Sequence, residues 1–550
     1  MSQVSSRLRR LAVVATSATL MLTLAACGKK SDASHQDLVR TTNLSSNFSV
    51  STLDISKSRG FYQTGNLFDT LLTVDKHHKV VAALATKHTV SKDGKTYTFT
   101  IRKGATFSNG DPINAQSFVY SWQRSLKPAT KSMFPYIFKG IKNAMAINAG
   151  KLPASKLGAV AKDAQTLVIT LDHPIAYFDK LMTYQAFSPQ DKKLVDKYGK
   201  AYGTAPDKVV YSGPFKMSKW EPESKNWTFV KNDKYWDKDQ VKLTKINLFY
   251  EPIPQTSLNL YQAKKLDFTI LSSNQYKNFK GDKRLFAGPY SYMNYILYNQ
   301  NSKDATLKRA FNNVNIRKAI SLTLDRKQIV KDLFSGSALQ PTGMVTNYLS
   351  YNAKNEDFGK LQDAGESVTH NPSIAKTYWK KGLAQLNVKT LKFSLLTSTD
   401  DASSKLAELV KASAEKQLSG LTISLQTVPD QIAYQRSTNG QYDAYIGGRG
   451  ADIADPIEFL KPMLSSNPQN YGGWKNKQYD KLINDSTTDN LSATGRWNKL
   501  LQAEKLLADD QAETPLYQNY NYYLKDTKLH GMVHNSVGAQ WIYKYMYMTK

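Results

Sequence analysis

Two histidines four residues apart, His530 and His534 in HGMVH, have the spacing that holds a metal ion when both lie on one helix face. Gly531 and Val533 disfavour a helix there, and no acid follows at metalloprotease spacing, so no metal site is expected. His77-His78 stands in a turn among lysines and reads as a solvated pair. Cys27 is the only cysteine, which excludes an intrachain disulfide, a cysteine zinc site and thiolate-held cofactors. No G-x-S-x-G, S-x-x-K or Walker motif stands where its flanking elements would require it, and nothing positive supports catalysis by a carboxylate pair. The chain is expected to be no enzyme and to carry no cofactor. The chemistry that remains is recognition of charge. In GRGADIADP, residues 448–456, two acids follow an arginine set between glycines. On spacing alone Asp452 caps a turn ahead of Asp455-Pro456, and Arg449 is a solvated arginine.

The position of Cys27 has its own chemistry. Arg7, Arg9 and Arg10 precede an uncharged run from Leu11 to Ala26, which is 16 residues and short of the ~20 that span a bilayer. A basic start, an apolar middle and small residues before the cysteine make an export signal. Leu24-Ala25-Ala26-Cys27 resembles a bacterial lipobox, which implies cleavage after residue 26 and a diacylglycerol on the Cys27 sulfur. Two acyl chains hold a protein stably at a membrane where one does not. Residues 27–38, beginning CGKKSDAS, then read as a lipidated, flexible tether.

Roughly 520 residues remain, enough for two to four domains. The net charge of +29, less the three leader arginines, is +26. The lysines are dispersed rather than clustered, so nucleic acid is not the expected partner; weak attraction to an anionic cell surface is. No later run is long and apolar enough to span a membrane.

Strands and helices interleave along the whole chain, as in α/β or α+β domains. In KTYTFTI (95–101), Tyr97, Phe99 and Ile101 alternate with threonines, and Asn109-Gly110 supplies a turn. AQSFVYSWQRSL (115–126) aligns Phe118, Trp122 and Leu126 on one helix face. TLVITL (166–171) is a strand. Residues 315–336 read as one helix capped by Asn315 and ended by Gly336. Residues 391–398, 403–420 and 421–428 read as strand, helix, strand, a right-handed parallel crossover. Tyrosine clusters at 290–298, 517–524 and 541–548 read as strand cores more readily than as ligand platforms.

Five stretches in order then resemble the solute-binding proteins of peptide ABC importers, the OppA/DppA family (solute-binding protein family 5). They are residues 92–124, 210–237 (VYSGPFKMSKWEPESKNWTFVKNDKYWD), 314–336, 442–460 (YDAYIGGRGADIADPIEFL) and 474–486 (WKNKQYDKLINDS). SWQRSLKP and the run from Asn148 to Phe178 are most similar to the oligopeptide branch. The resemblance implies an α/β fold, a two-lobed periplasmic-binding-protein-like clamp of the cluster C type, with mixed β-sheets flanked by helices. Domain I would comprise 39–72, 196–300 and 515–550, domain II residues 73–195, and domain III residues 301–514. The lobes would close by hinge motion on an extended peptide.

A buried peptide brings an ammonium and unpaired backbone groups, so its pocket needs a fixed carboxylate and exposed backbone edges. The resemblance implies Asp452 as partner of the peptide amine, with Gly448, Arg449 and Gly450 as one pairing strand. Gly60 and Phe61 would form the second pairing segment, and Phe134 an aromatic contact. Arg449 replaces the family's tryptophan, and Ile446 stands where an arginine can meet peptide carboxylates. The carboxylate anchor would then have moved, with Arg449 as one candidate, or longer or different ligands bind. The implied protein is a monomer on the outer face of the bacterial cytoplasmic membrane that hands peptides to permease subunits with their ATPases. A receptor for a signalling peptide, dipeptide or other solute on the same scaffold, or a cationic cell-surface adhesin, are the alternatives.

Overall fold

The computed structural model describes residues 38–42, 52–57, 65–221, 226–488, 491–538 and 540–549. Cys27, with the leader and nearly all of its tether, lies outside them, as do Gly60 and Phe61. Among the described residues no helix is long and apolar enough to cross a membrane.

A four-stranded antiparallel sheet runs in the order Ala85–Val90, Thr96–Ile101, Thr166–Thr170, Ala159–Ala161. The alternation read in the sequence puts Tyr97, Phe99 and Ile101 inward. The helix Ala115–Leu126 covers that face because its apolar positions fall four apart, and Phe118, Trp122 and Leu126 are all fully buried. Asn114 caps the helix by accepting the Ser117 N–H, and the Trp122 indole N–H donates to the Phe187 carbonyl at 3.0 Å.

Among the described residues the second sheet has ten strands. Two long strands, Leu285–Tyr298 and Glu513–Lys525, pair antiparallel at its centre. Ala444–Gly450, Leu391–Ser398 and Leu421–Val428 extend it on one side. Phe268–Leu271, Leu38–Thr42, Lys245–Phe249, Asn226–Lys231 and Phe215–Lys219 extend it on the other. The central pair is therefore common to both halves, and its register shifts between Pro289 and Met293 and again between Asn294 and Tyr295. The expected parallel pair is present: strands 391–398 and 421–428 pair in parallel, with the helix Asp401–Gln417 between them in the chain.

The single helix expected over 315–336 is two, Val314–Leu322 and Arg326–Phe334. Asn313 caps the first, and Asp325 caps the second by accepting the Gln328 N–H. The break is held by the buried Arg326 guanidinium, which donates to the carbonyls of Ser321, Leu324, Ser367, Thr369 and Pro515. An apolar stripe of constant period hides such a break, because the buried arginine takes the carbonyls that the interrupted helix leaves unpaired. His530 and His534 sit on two short strands, Leu529–His530 and Val533–His534, as the glycine between them suggested.

Candidate functional site

The strand Ala444–Gly450 positions the candidate site. Along one edge it pairs with residues 292–298, from Tyr298 opposite Ala444 to Tyr292 opposite Gly450. Along its other edge, pairing with Leu391–Ser398 stops at Tyr445. The Ala451 N–H donates to the Ser291 carbonyl, toward the 285–298 strand. Backbone groups alternate, so those of Gly448 and Gly450 point to the opposite edge, where no strand pairs with them among the described residues. A side chain at Gly448 would collide with the Tyr292 ring, which explains a glycine there better than backbone conformation does.

Two acids follow, in very different settings. Asp455 is buried and receives the Arg496 guanidinium on both oxygens (2.7 and 3.0 Å) and the Lys180 ammonium at 3.1 Å. These cations hold its carboxyl well below the usual carboxylate range despite burial. Asp452 forms no ion pair among the described residues; its carboxylate accepts the Tyr136 hydroxyl at 3.0 Å. Burial pushes the Asp452 carboxyl above its usual range, and the Tyr136 hydrogen bond pulls it partly back. Its backbone N–H donates to Glu458 at 2.9 Å, and Glu458 is pushed up to about 7 by burial and then by Asp452 itself. An acid raised by desolvation and lacking a counter-charge is a prepared site for a cation from outside.

Asp452, with Ile453 and Ala454, lines a cavity of about 1120 Å³. Its other walls come from the 65–80 segment, Lys180 and Thr183–Gln185, Tyr348–Asn355, and the C-terminal stretch from Met532 to Tyr545. Of the residues expected at the site, the structure brings Asp452 to this cavity. Gly448, Arg449 and Gly450 lie on the strand leading to it without lining it, and Phe134 is buried behind Tyr136 and Tyr184. The Arg449 side chain is not available to a ligand carboxylate. It forms a two-pronged pair with fully buried Glu513 (2.8 and 3.2 Å), donates to the Phe459 carbonyl and lies over the Tyr295 ring. The acid that holds Arg449 lies 64 residues away in the sequence, which conceals the pairing.

Tyr136 was missed by the sequence reading, two residues beyond Phe134. Its hydroxyl reaches Asp452 from the part of the chain that carries the four-stranded sheet. Lys180 was missed too, and it makes a second bridge from that part, to Asp455, the Ala454 carbonyl and the Ser350 hydroxyl. Neither has a local pattern that could have disclosed its partner.

His534, 5% exposed, also lines the cavity, and neither ring nitrogen has a partner among the described residues. Burial pushes its pKa down to about 3, with His78 nearby adding to the effect. Between the ordinary value near 6.5 and 3 the unfolded chain binds more protons than the folded one, so this residue's contribution is lost as pH falls through that window. His534→Leu is expected to flatten the acid side of the stability profile, by up to about 1.4 kcal/mol per pH unit. Urea denaturation of both proteins at pH 7 and pH 5 measures it, and parallel acid slopes would refute it.

A family model described as "Bacterial extracellular solute-binding proteins, family 5 Middle" matches residues 79–471. The dipeptide-binding protein of Lactococcus lactis subsp. cremoris is 32% identical over 539 residues, covering 96% of each chain. Among solved structures, Listeria monocytogenes OppA bound to peptide is 32% identical with a TM-score of 0.74, covering 94% of this chain and all of that one. The pheromone receptor PrgZ, solved to show its mode of peptide binding, is 30% identical with a TM-score of 0.75 and the same coverage. The mixed sheets, the two-lobed neighbours and the length of the match place the chain among the bacterial extracellular solute-binding proteins of family 5.

Proposed function

We propose that this protein captures peptides outside the cytoplasmic membrane and delivers them to an ABC permease driven by its ATPases. The observation that carries the reading is the contrast between the two acids of GRGADIADP: Asp455 has two internal cations, whereas the carboxylate of cavity-lining Asp452 meets, among the described residues, only a tyrosine hydroxyl. Asp452 receives the peptide's ammonium. The edge at Gly448 and Gly450, which pairs with no strand among the described residues, offers backbone groups to the first residues of the peptide, as an added strand would use them. Gly60 and Phe61 supply the second backbone edge, and Phe134 supports the aromatic wall through Tyr136. The names of the relatives, a dipeptide-binding protein and a peptide-bound OppA among them, support a peptide ligand.

The same proposal includes the anchor and the motion. Cys27 carries the diacylglycerol, and residues 27–38 tether a monomer to the membrane's outer face. Domains I (39–72, 196–300, 515–550), II (73–195) and III (301–514) form the two lobes. The Tyr136 and Lys180 bridges are contacts of the closed form, and the two shared central strands carry the hinge.

Calorimetric titration with matched peptides tests the reading. N-terminal acetylation is expected to weaken binding by about tenfold or more, since a hydrogen bond to a charged group is worth ~1.5–3 kcal/mol. Equal affinity for free and acetylated peptides would remove the amine pairing. Binding that collapses with salt for every peptide would favour the cationic adhesin instead.

A further inference from the structure

We propose that Glu458 is the proton-exchanging partner of Asp452: it keeps a proton while the site is empty and releases it when the peptide's ammonium arrives, so that proton and peptide compete. The inference rests on the Asp452 reading and adds a second acid to that site.

Glu458 stands on the short helix Ile457–Leu460, just after Asp455-Pro456. One of its carboxylate oxygens accepts the Asp452 N–H at 2.9 Å, which steadies the turn that carries Asp452 and keeps the two acids together. Asp452 lines the cavity, whereas Glu458 is tied to its backbone without lining it. Within its own stretch Glu458 faces Asp452, Asp455 and Lys461. From the part of the chain that carries the four-stranded sheet it faces the hydroxyls of Tyr136 and Tyr177. Asp455 is already neutralised by Arg496 and Lys180, and it acts on Glu458 less than Asp452 does. Lys461 forms no ion pair among the described residues, and burial and then the nearby Lys139 lower its own pKa, with His173 beyond it. It is a poor counter-charge for two acids.

Two neighbouring carboxylates without a cation between them do not both ionise cheaply, so the pair retains a proton. The Tyr136 hydroxyl donates to Asp452 and favours the charge there, which leaves the proton on Glu458. Burial and then Asp452 push Glu458 up to about 7. An ammonium on Asp452 cancels the neighbouring charge, and Glu458 then ionises at lower pH. Above about pH 7 Glu458 is ionised with or without peptide, and its effect on affinity is flat. Below that value the empty protein binds the extra proton, so affinity falls with pH. The peptide's own amine works in the opposite direction, since it loses its charge only above its ordinary value of about 8. Capture is therefore strongest slightly above neutral pH.

The mature protein is titrated calorimetrically at pH 7 with alanine peptides from the dipeptide to the hexapeptide, each with a free or an acetylated N terminus. The titrations are run in PIPES and in imidazole, whose heats of ionisation differ, so the difference in heat counts protons. Free-amine peptides are expected to release about half a proton, because a group titrating near 7 is half-protonated in the empty protein. Acetylated peptides should release none. Free-peptide affinity is expected to fall about five- to tenfold between about pH 7.5 and pH 6. E458Q keeps an oxygen for the Asp452 N–H; it is expected to bind about as the wild type does near pH 6, to lack the gain at higher pH and to release no proton. Buffer-independent heats from a free peptide whose acetylation costs affinity would overturn the role of Glu458 and leave Asp452 in place. Release that persists in E458Q would put the proton on another group and overturn it equally. Equal affinity of free and acetylated peptides, or no binding of any free peptide, would remove the amine pairing and this inference with it. The wild-type heats decide the first point whether or not E458Q folds.

Discussion

Asp452→Asn is expected to weaken peptide binding by about 2–5 kcal/mol, a loss of about thirtyfold to several thousandfold. Asparagine keeps the shape and can still accept the Tyr136 hydroxyl, but it has no charge for the peptide's ammonium. Burying that ammonium without a counter-charge is what costs the affinity. The fold should survive, because Asp452 forms no ion pair among the described residues and its backbone bond to Glu458 needs only the main chain. Glu458 complicates the size of the effect. Burial and then Asp452 push it up to about 7, so removing the Asp452 charge lets it ionise more readily. Some affinity should therefore be retained at neutral pH in the single variant, fall away as the pH drops below 7, and disappear in D452N/E458Q. N-acetylated peptides should bind the wild type and Asp452→Asn about equally, which closes a cycle on the amine–carboxylate pair alone. Unaltered affinity of Asp452→Asn for a free peptide would take Asp452 out of the site.

The elements around this site were legible wherever one local pattern fixed both structure and burial. Period-two alternation placed Tyr97, Phe99 and Ile101, and the four-residue spacing of Phe118, Trp122 and Leu126 placed a helix with its buried face. Two parallel strands around a helix followed from 391–428. The break before Arg326 was hidden because an apolar stripe continues through it. The acid at 452 was singled out only through resemblance; its spacing alone gave a turn cap. What set it apart from Asp455 is the whereabouts of Arg496, Lys180 and Tyr136, which come from 41, 275 and 316 residues away. Charge balance at a folded site is a sum over distant segments, and no window of sequence contains it. The same limit explains Arg449, read as a candidate for the ligand's carboxylate while its counter-charge, Glu513, lay in another strand.

Asp455→Asn is expected to destabilise the protein by about 3–5 kcal/mol, because it leaves a buried guanidinium without its counter-charge. Asp455 is 1% exposed at its side chain and Arg496 10%, and their two hydrogen bonds are the two-pronged kind that asparagine cannot reproduce. The direction of the Asp455 pKa fixes the pH dependence. Its folded value lies below the unfolded one, so its stabilisation is complete above about pH 4 and is lost as pH falls through the acid range. The variant should show a shallower acid limb as well as a lower plateau in urea denaturation. A second variant separates charge from packing. In D455L/R496M both charges are gone, and stability should recover by at least part of the loss, since a buried pair replaced by apolar groups is often neutral. The third member of the cluster links stability to closure. Lys180 reaches Asp455 from the segment that carries the four-stranded sheet, so Asp455→Asn weakens a bridge across the cavity as well as a core pair. Lys180→Met should cost little stability, its side chain being 30% exposed, yet weaken peptide binding by about 1 kcal/mol if that bridge belongs to the closed state. Full stability in Asp455→Asn would show that Arg496 finds its balance elsewhere. The two acids of GRGADIADP would then no longer divide into one spent on the fold and one held for a ligand.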